Sequence, residues 1–182
     1  RRKGDVQEGH ALTMTTPEEL DHGISMQITP AFAEVGGSKV NLLDTPGYLD
    51  FTGDALAAVR VADTAIITVG ATSGVEVGTE VVWKYCEDRG LPRMIFVSMM
   101  DKEHADFERV FAEIKERLAT NVVPVELPIG AGADFKGIVN LFSQKAHMFK
   151  SGTLTGEYEE TDVPEELADL TEEWGTEVME TV

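Results

Sequence analysis

The amino-acid sequence predicts an α/β fold, a mainly parallel sheet with helices on both faces, followed by a small α+β segment. Three observations carry this. Between residues 51 and 118, apolar residues at helical spacing alternate with short runs rich in Ile and Val. Strand–helix–strand–helix order is the pattern of a parallel sheet, because parallel neighbours need a crossover connection. Ahead of this stretch lie two extended runs joined by Gly36-Gly37, and behind it the rhythm breaks into shorter runs and one amphipathic helix.

Residues 1–25 are rich in Gly, Thr, Glu and His without a clear period, and read as a loop with one helical turn over 17–20. Residues 26–35 and 39–43 are strand-like, and the Gly-Gly between them predicts an antiparallel hairpin. Pro30 places the first of these strands at an edge. Phe51, Ala55, Leu56, Val59 and Ala62 recur at helical spacing. Residues 64–69 read as a strand buried on both faces. Val77, Val81, Val82, Tyr85 and Cys86 mark a second helix ending near Gly90, and residues 94–97 a second buried strand. Phe107, Val110, Phe111, Ile114 and Leu118 mark a third helix. Beyond it, residues 122–127, 137–142 and 146–149 read as shorter strands. Pro164 begins a helix with Leu167, Leu170, Trp174, Val178 and Val182 on one face and an almost wholly acidic face opposite.

A length of 182 residues predicts one domain with a small appendage. With 33 acidic and 15 basic side chains the formal net charge is -18, which disfavours unassisted binding to nucleic acid or an anionic membrane. The acidity is uneven: residues 151–182 hold 11 Asp or Glu and no Lys or Arg, so a boundary is expected near Ser151-Gly152. The single cysteine, Cys86, excludes an intrachain disulfide framework and fits a reducing compartment. No apolar stretch follows the basic Arg1-Arg2-Lys3-Gly4, so it does not read as a signal peptide, and no run approaches the roughly 18 apolar residues of a membrane span. A cytoplasmic protein is expected. Neither an internal repeat nor a low-complexity tract is present.

In such a sheet, function gathers in loops at the carboxyl ends of strands. Asp44-Thr45-Pro46-Gly47 follows the strand at 39–43. A carboxylate there can reach a hydrated Mg²⁺ on phosphates, and a glycine three residues on lets its N–H approach a terminal phosphate. The same residues also describe a plain turn in which Asp44 caps the bend. Ser98-Met99-Met100-Asp101 follows the strand at 94–97. Asp101 can accept hydrogen bonds from the N1–H and 2-amino edge of guanine, a donor pair adenine lacks. Alternatively it caps the next helix, with Glu103 in the first turn. His10, His22, His104 and His147 show no metal-ligand spacing. Cys86, Trp83 and Trp174 fall at helical core positions.

Order and spacing then join these loops to one family. The sequence resembles the GTPase domain of translational GTPases, most specifically elongation factor G. Asp44-Thr45-Pro46-Gly47-Tyr48-Leu49-Asp50-Phe51 resembles the D-T-P-G-H-V-D-F of switch II, and His22-Gly23-Ile24-Ser25-Met26 the R-G-I-T-I of switch I. Gly4-Asp5-Val6-Gln7-Glu8-Gly9 resembles the upstream G-x-V-H-E-G. Ser98-Met99-Met100-Asp101-Lys102 stands where the family has N-K-M-D-K, and Ala105-Asp106-Phe107 continues the match. Leu127-Pro128-Ile129-Gly130 and Phe135-Lys136-Gly137-Ile138-Val139 resemble the start of the G prime insert that marks elongation factor G.

The resemblance implies a P-loop NTPase-like fold lacking the P-loop segment, with residues 1–127 a partial GTP-binding domain and 128–182 the start of the insert. It implies GTP and Mg²⁺ as ligands of the intact protein. Ser25, in place of the switch I threonine, and Asp44 would hold the metal, and Gly47 N–H would sense the γ-phosphate. Tyr48 replaces the histidine that positions the attacking water; a phenol holds its proton at neutral pH, which implies slow or absent hydrolysis. Asp101 matches the guanine-reading aspartate, while Ser98 and Met99 replace Asn and Lys, with the Met99 stem able to pack on the base. No G-x-x-x-x-G-K-[ST] occurs in the sequence. An internal fragment of a larger factor is therefore expected, one that by itself binds GTP weakly or not at all. The implied partners are the ribosome and its stalk protein, with no direct nucleic-acid contact from this segment and no membrane. The alternatives are a ribosomal protection-type GTPase and a degenerate, non-hydrolysing ribosome-binding module.

Overall fold

The computed structural model describes residues 11–150 and 156–181. The Gly4–Gly9 motif, the boundary at Ser151-Gly152 and Val182 lie outside the described residues. The chain divides into two compact units, one containing residues up to 67 together with 77–95, the other 68–76 together with 96 onward.

In the first unit, helix α1 (Pro17–His22) opens with a complete capping box in which Thr16 and Glu19 satisfy each other's backbone N–H groups. Its left-handed Gly23 ends it. Strands β1 (Thr29–Val35) and β2 (Ser38–Asp44) then form the expected antiparallel hairpin, in register from Thr29 opposite Asp44 to Val35 opposite Ser38. Gly36 and Gly37 both adopt positive φ, the geometry that a two-residue turn between right-twisted strands requires. A single 3₁₀ turn (Leu49–Phe51) leads into α2 (Thr52–Val59), which buries Ala55, Ala58 and Val59. Helix α3 (Val77–Asp88) buries Trp83 and Cys86. The Arg93 guanidinium lies 4.0 Å over the Trp83 ring.

Strand β3 (Ala65–Gly70) pairs with β4 (Arg93–Ser98). The Ala65 N–H donates to the Pro92 carbonyl, and the Ala71 N–H to that of Ser98. Both strands therefore run in the same direction, which is the parallel pairing expected. Burial on both faces does not hold: Ile67 and Val69 are buried, but Ile66, Met94 and Phe96 are exposed among the described residues. Successive side chains alternate across a strand, so one face of the pair meets packed neighbours and the other does not.

The second unit contains a four-stranded antiparallel sheet in the order β5-β6-β7-β8, made by Glu126–Ile129, Gly137–Asn140, Lys145–Phe149 and Tyr158–Thr161. Helix α5 (Ala168–Thr181) contributes Val178 to a core with Leu127, Ile129, Val139, Leu141 and Ala146. Half-buried Leu167, Leu170 and Trp174 pack against that core, while Glu172, Glu173, Glu177 and Glu180 face water. The apolar and acidic faces are thus as the periodicity predicts. The strand expected over 122–127 begins later, at Glu126, and its Pro128 is accommodated because β5 is an edge. β8 is an addition: Tyr-Glu-Glu-Thr has no apolar alternation to betray it, and it joins through backbone pairing and the Lys145–Asp162 ion pair at 2.7 Å. Helix α4 (Phe107–Arg117) buries Val110 and Ile114 and stacks Phe107 on Phe111, whose ring meets Trp174 edge-on at 5.4 Å.

Candidate functional site

Four of the sequence-predicted site residues belong to the first unit. Asp44 is the last residue of β2, and Thr45, Pro46 and Gly47 form the connection to the following turn. The Asp44 carboxylate accepts no hydrogen bond among the described residues, so it does not cap the bend. Pro46 is buried and fixes the direction of the loop, whereas Gly47 is exposed with nothing within 4 Å of where a Cβ would stand. That open space lets a ligand approach the Gly47 backbone, which a side chain would obstruct. Tyr48 is 57% exposed, with its hydroxyl unpartnered among the described residues. Ser25, half-buried and outside regular structure, precedes β1 by four positions. Since Thr29 pairs with Asp44, the segment bearing Ser25 enters the hairpin at the end where Asp44 leaves it.

That segment is held by a carboxylate that sequence reasoning missed. Glu19 is completely buried. Its Oε2 accepts from Thr15 N–H at 2.9 Å, Thr16 N–H at 3.0 Å and the Thr16 hydroxyl at 3.1 Å. Its Oε1 accepts from Met26 N–H at 2.9 Å and Gln27 N–H at 3.3 Å. These donors, Met26 N–H foremost, lower its pKa to about 2 against the opposing effect of burial. The capping-box spacing Thr16-Pro17-Glu18-Glu19 was the available signal.

The other three residues lie in one loop of the second unit. The Ser98 hydroxyl donates to the Val69 carbonyl at 3.4 Å. Met99 has φ 61°, a left-handed conformation that costs an L-residue about 1–2 kcal/mol. Its side chain is exposed, while Met100 is buried and its carbonyl accepts from Gly132 N–H at 2.8 Å. Asp101 is exposed and meets Lys102 at 3.5 Å. It is not the cap of α4. That role belongs to Asp106, whose carboxylate accepts from Arg109 N–H at 2.9 Å. Apart from that ion pair, freedom from capping leaves the exposed Asp101 carboxylate open to a donor pair.

A second clamp escaped the sequence reading. Arg109 donates to the carbonyls of Ala71 and Thr72 at 3.1 and 2.9 Å and pairs with Glu113 at 2.6 Å. Glu113 in turn accepts from Val75 N–H at 3.0 Å, and Arg117 reaches the Val75 carbonyl. The Val75 N–H is the leading cause that draws the Glu113 pKa down, with Arg109 reinforcing it. Helix α4 thereby fixes residues 71–75, the loop at the carboxyl end of β3.

The profile of the elongation factor Tu GTP-binding domain family matches residues 1–173. The chain belongs to this family. A crystal structure of a protein from Thermus thermophilus aligns with a TM-score of 0.88 at 35% identity, over 97% of this chain and 26% of that one. The chain therefore spans about a quarter of the length of that protein. The resemblance to elongation factor G-like translational GTPases is borne out at the level of the family, and with it the α/β class of a GTPase domain.

The donor sets of this family member suit the ligands its family implies. Ser25 and Asp44 offer oxygen ligands, the preference of a hard cation such as Mg²⁺, and both are unpartnered among the described residues. Three or more His, Cys, Asp or Glu side chains do not converge on any metal-sized site among the described residues, so a fully protein-built cage is not what these residues offer. Burial raises the Cys86 thiol pKa, against the pull of Arg93, which keeps it an inert core group. Among the described residues no helix is long and apolar enough to cross a membrane.

Proposed function

We propose that this chain is the GTP-binding part of an elongation factor G-like translational GTPase, with residues 1–127 from the nucleotide domain and 128–182 opening the G prime insert. The observation that supports it most is the state of the two aspartates. Asp44 ends strand β2 and Asp101 lies three residues beyond the end of β4, and neither carboxylate is used to cap a turn or helix. In the intact protein Ser25 and Asp44 hold the Mg²⁺, which neutralises phosphate charge when bound. Gly47 N–H senses the γ-phosphate. Tyr48 occupies the position that orients the attacking water. Asp101 reads the guanine edge, beside Ser98 and the Met99 stem.

Ordering of the segments around Ser25 and Gly47 by the γ-phosphate, and their release after hydrolysis, then couples nucleotide state to movement on the ribosome. The ribosome and its stalk protein are the partners this reading assigns, in the cytoplasm. A fluorescent GTP analogue titrated into the intact protein should bind in preference to its ATP counterpart. Asp101→Asn exchanges an acceptor for a donor, so it should weaken guanine binding and favour a base with a carbonyl at position 2. Equal affinity for both nucleotides would sink the reading. A phenol at Tyr48 in place of the family's histidine, with Ser98 and Met99 in place of Asn and Lys, favours a second one: a degenerate module that docks on the ribosome without hydrolysis and shows no preference for GTP.

A further inference from the structure

We propose that Glu19 is a positioning residue for Ser25: its carboxylate holds the Ser25 segment in the place from which the hydroxyl can ligate the metal. The proposal rests on the nucleotide reading above and concerns what prepares that site.

A helix cap does not need what Glu19 does. The capping box uses only Oε2, which serves Thr15 and Thr16 at the start of α1. The second oxygen reaches past the helix to Met26 and Gln27, seven and eight residues on. Between the two groups of donors the chain reverses at the left-handed Gly23, and Ile24 N–H returns to the Glu19 carbonyl at 3.3 Å. Ser25 therefore stands between the Gly23 reversal and the first caged amide, that of Met26. Downstream, Thr29 is tied to Asp44 by strand pairing. The segment is thus anchored on one side by Glu19 and on the other by the strand pair that ends in the second metal ligand.

Every donor to Glu19 is an N–H or O–H, so only an acceptor with two free oxygens satisfies the set. A glutamine turns an NH₂ toward one group of donors whichever way it is flipped. Mg²⁺ demands near-ideal placement of its oxygens, so loosening the segment should act on metal affinity before nucleotide affinity.

The test uses the intact protein, comparing wild type with Glu19→Gln and with the exposed Glu18→Gln. Amide hydrogen exchange reads the cage directly, and a fluorescent GTP analogue titrated with Mg²⁺ or with chelator reads its consequence. Glu19→Gln should speed exchange at Met26 and Gln27 by about tenfold, the loss of one net hydrogen bond. The affinity gained on adding Mg²⁺ should fall by about the same factor, while affinity in chelator stays within about twofold. Glu18→Gln should change neither. Faster exchange with an unchanged Mg²⁺ increment makes Glu19 purely structural and overturns the proposal, as does unchanged exchange. If Glu19→Gln does not fold, Thr16→Ala removes one donor from Oε2, the hydroxyl, leaves the backbone donors in place, and should shift both readouts in the same direction by less; no shift overturns it. A wild-type protein with no Mg²⁺-dependent binding at all refutes the nucleotide reading itself, an outcome separable because the exchange measurement still reports the cage.

Discussion

Three left-handed glycines of the second unit should rank by what surrounds them. Gly132, Gly74 and Gly130 have φ of 60°, 75° and 79°. An alanine at any of them meets the same backbone strain, about 1–2 kcal/mol. At Gly132 the new Cβ would lie 3.5 Å from the Lys102 carbonyl, an ordinary contact, so strain is the whole effect. At Gly74 it would overlap the Glu113 carboxylate and stand 3.1 Å from the Arg109 guanidinium. Glu113 can swing away, but only by giving up Val75 N–H and its pairing with Arg109. Losing a charge-assisted bond adds about 1–2 kcal/mol at a half-exposed site, for a total near 2–4 kcal/mol. At Gly130 the overlap is with the Asp134 carbonyl, which is backbone and cannot swing, so Gly130→Ala should exceed Gly74→Ala. Urea unfolding followed by hydrogen exchange of β5–β7 amides measures the series within this unit. Equal losses at all three positions would refute the idea that the Arg109–Glu113 clamp supports the 71–75 loop beyond what backbone strain explains.

The remaining expectations can be checked singly. Tyr48→His in the intact protein should raise ribosome-stimulated GTP hydrolysis; an unchanged or lower rate shows that the tyrosine does not limit the reaction. Glu19 has a depressed pKa, so its contribution to stability is complete above about pH 4.5 and is lost as pH falls toward about 2. Thermal unfolding should lose Tm across that window in wild type, with a shallower slope in Glu19→Gln. Leu141→Ala opens a cavity in the core of the second unit and should cost about 2–5 kcal/mol, read as faster exchange in β5–β7. Asp106→Ala removes the cap of α4 and should cost about 1 kcal/mol, seen as faster exchange in its first turn.

Helices and the hairpin were legible because their signals are local. Phe107, Val110, Phe111 and Ile114 share one helical stripe, and Gly36-Gly37 specifies a turn by backbone conformation alone. β8 was illegible for the opposite reason: Tyr158–Thr161 becomes a strand only because β7 offers it a backbone edge. Asp101 shows the same limit at the site. A helix cap and a guanine reader call for the same residue type, and only the start of α4 at Phe107, capped by Asp106, separates them. Glu19 is by position a first-turn acid of a short helix, and nothing near it in sequence shows that a second oxygen will reach Met26.

By itself the sequence determined the class of fold, the positions of the helices, the hairpin turn and the identity of the residues available for chemistry. Each of these follows from periodicity, from backbone conformations open to few residue types, or from the functional groups present. Tertiary structure decided which polar groups were already spent. Asp106 is committed to its helix cap and Glu19 to the amides around it, whereas Asp44 and Ser25 are unpartnered among the described residues. The physical reason is that satisfaction of a carboxylate or hydroxyl depends on which donors the folded chain brings within about 3 Å, and those donors lie anywhere from three to dozens of residues away.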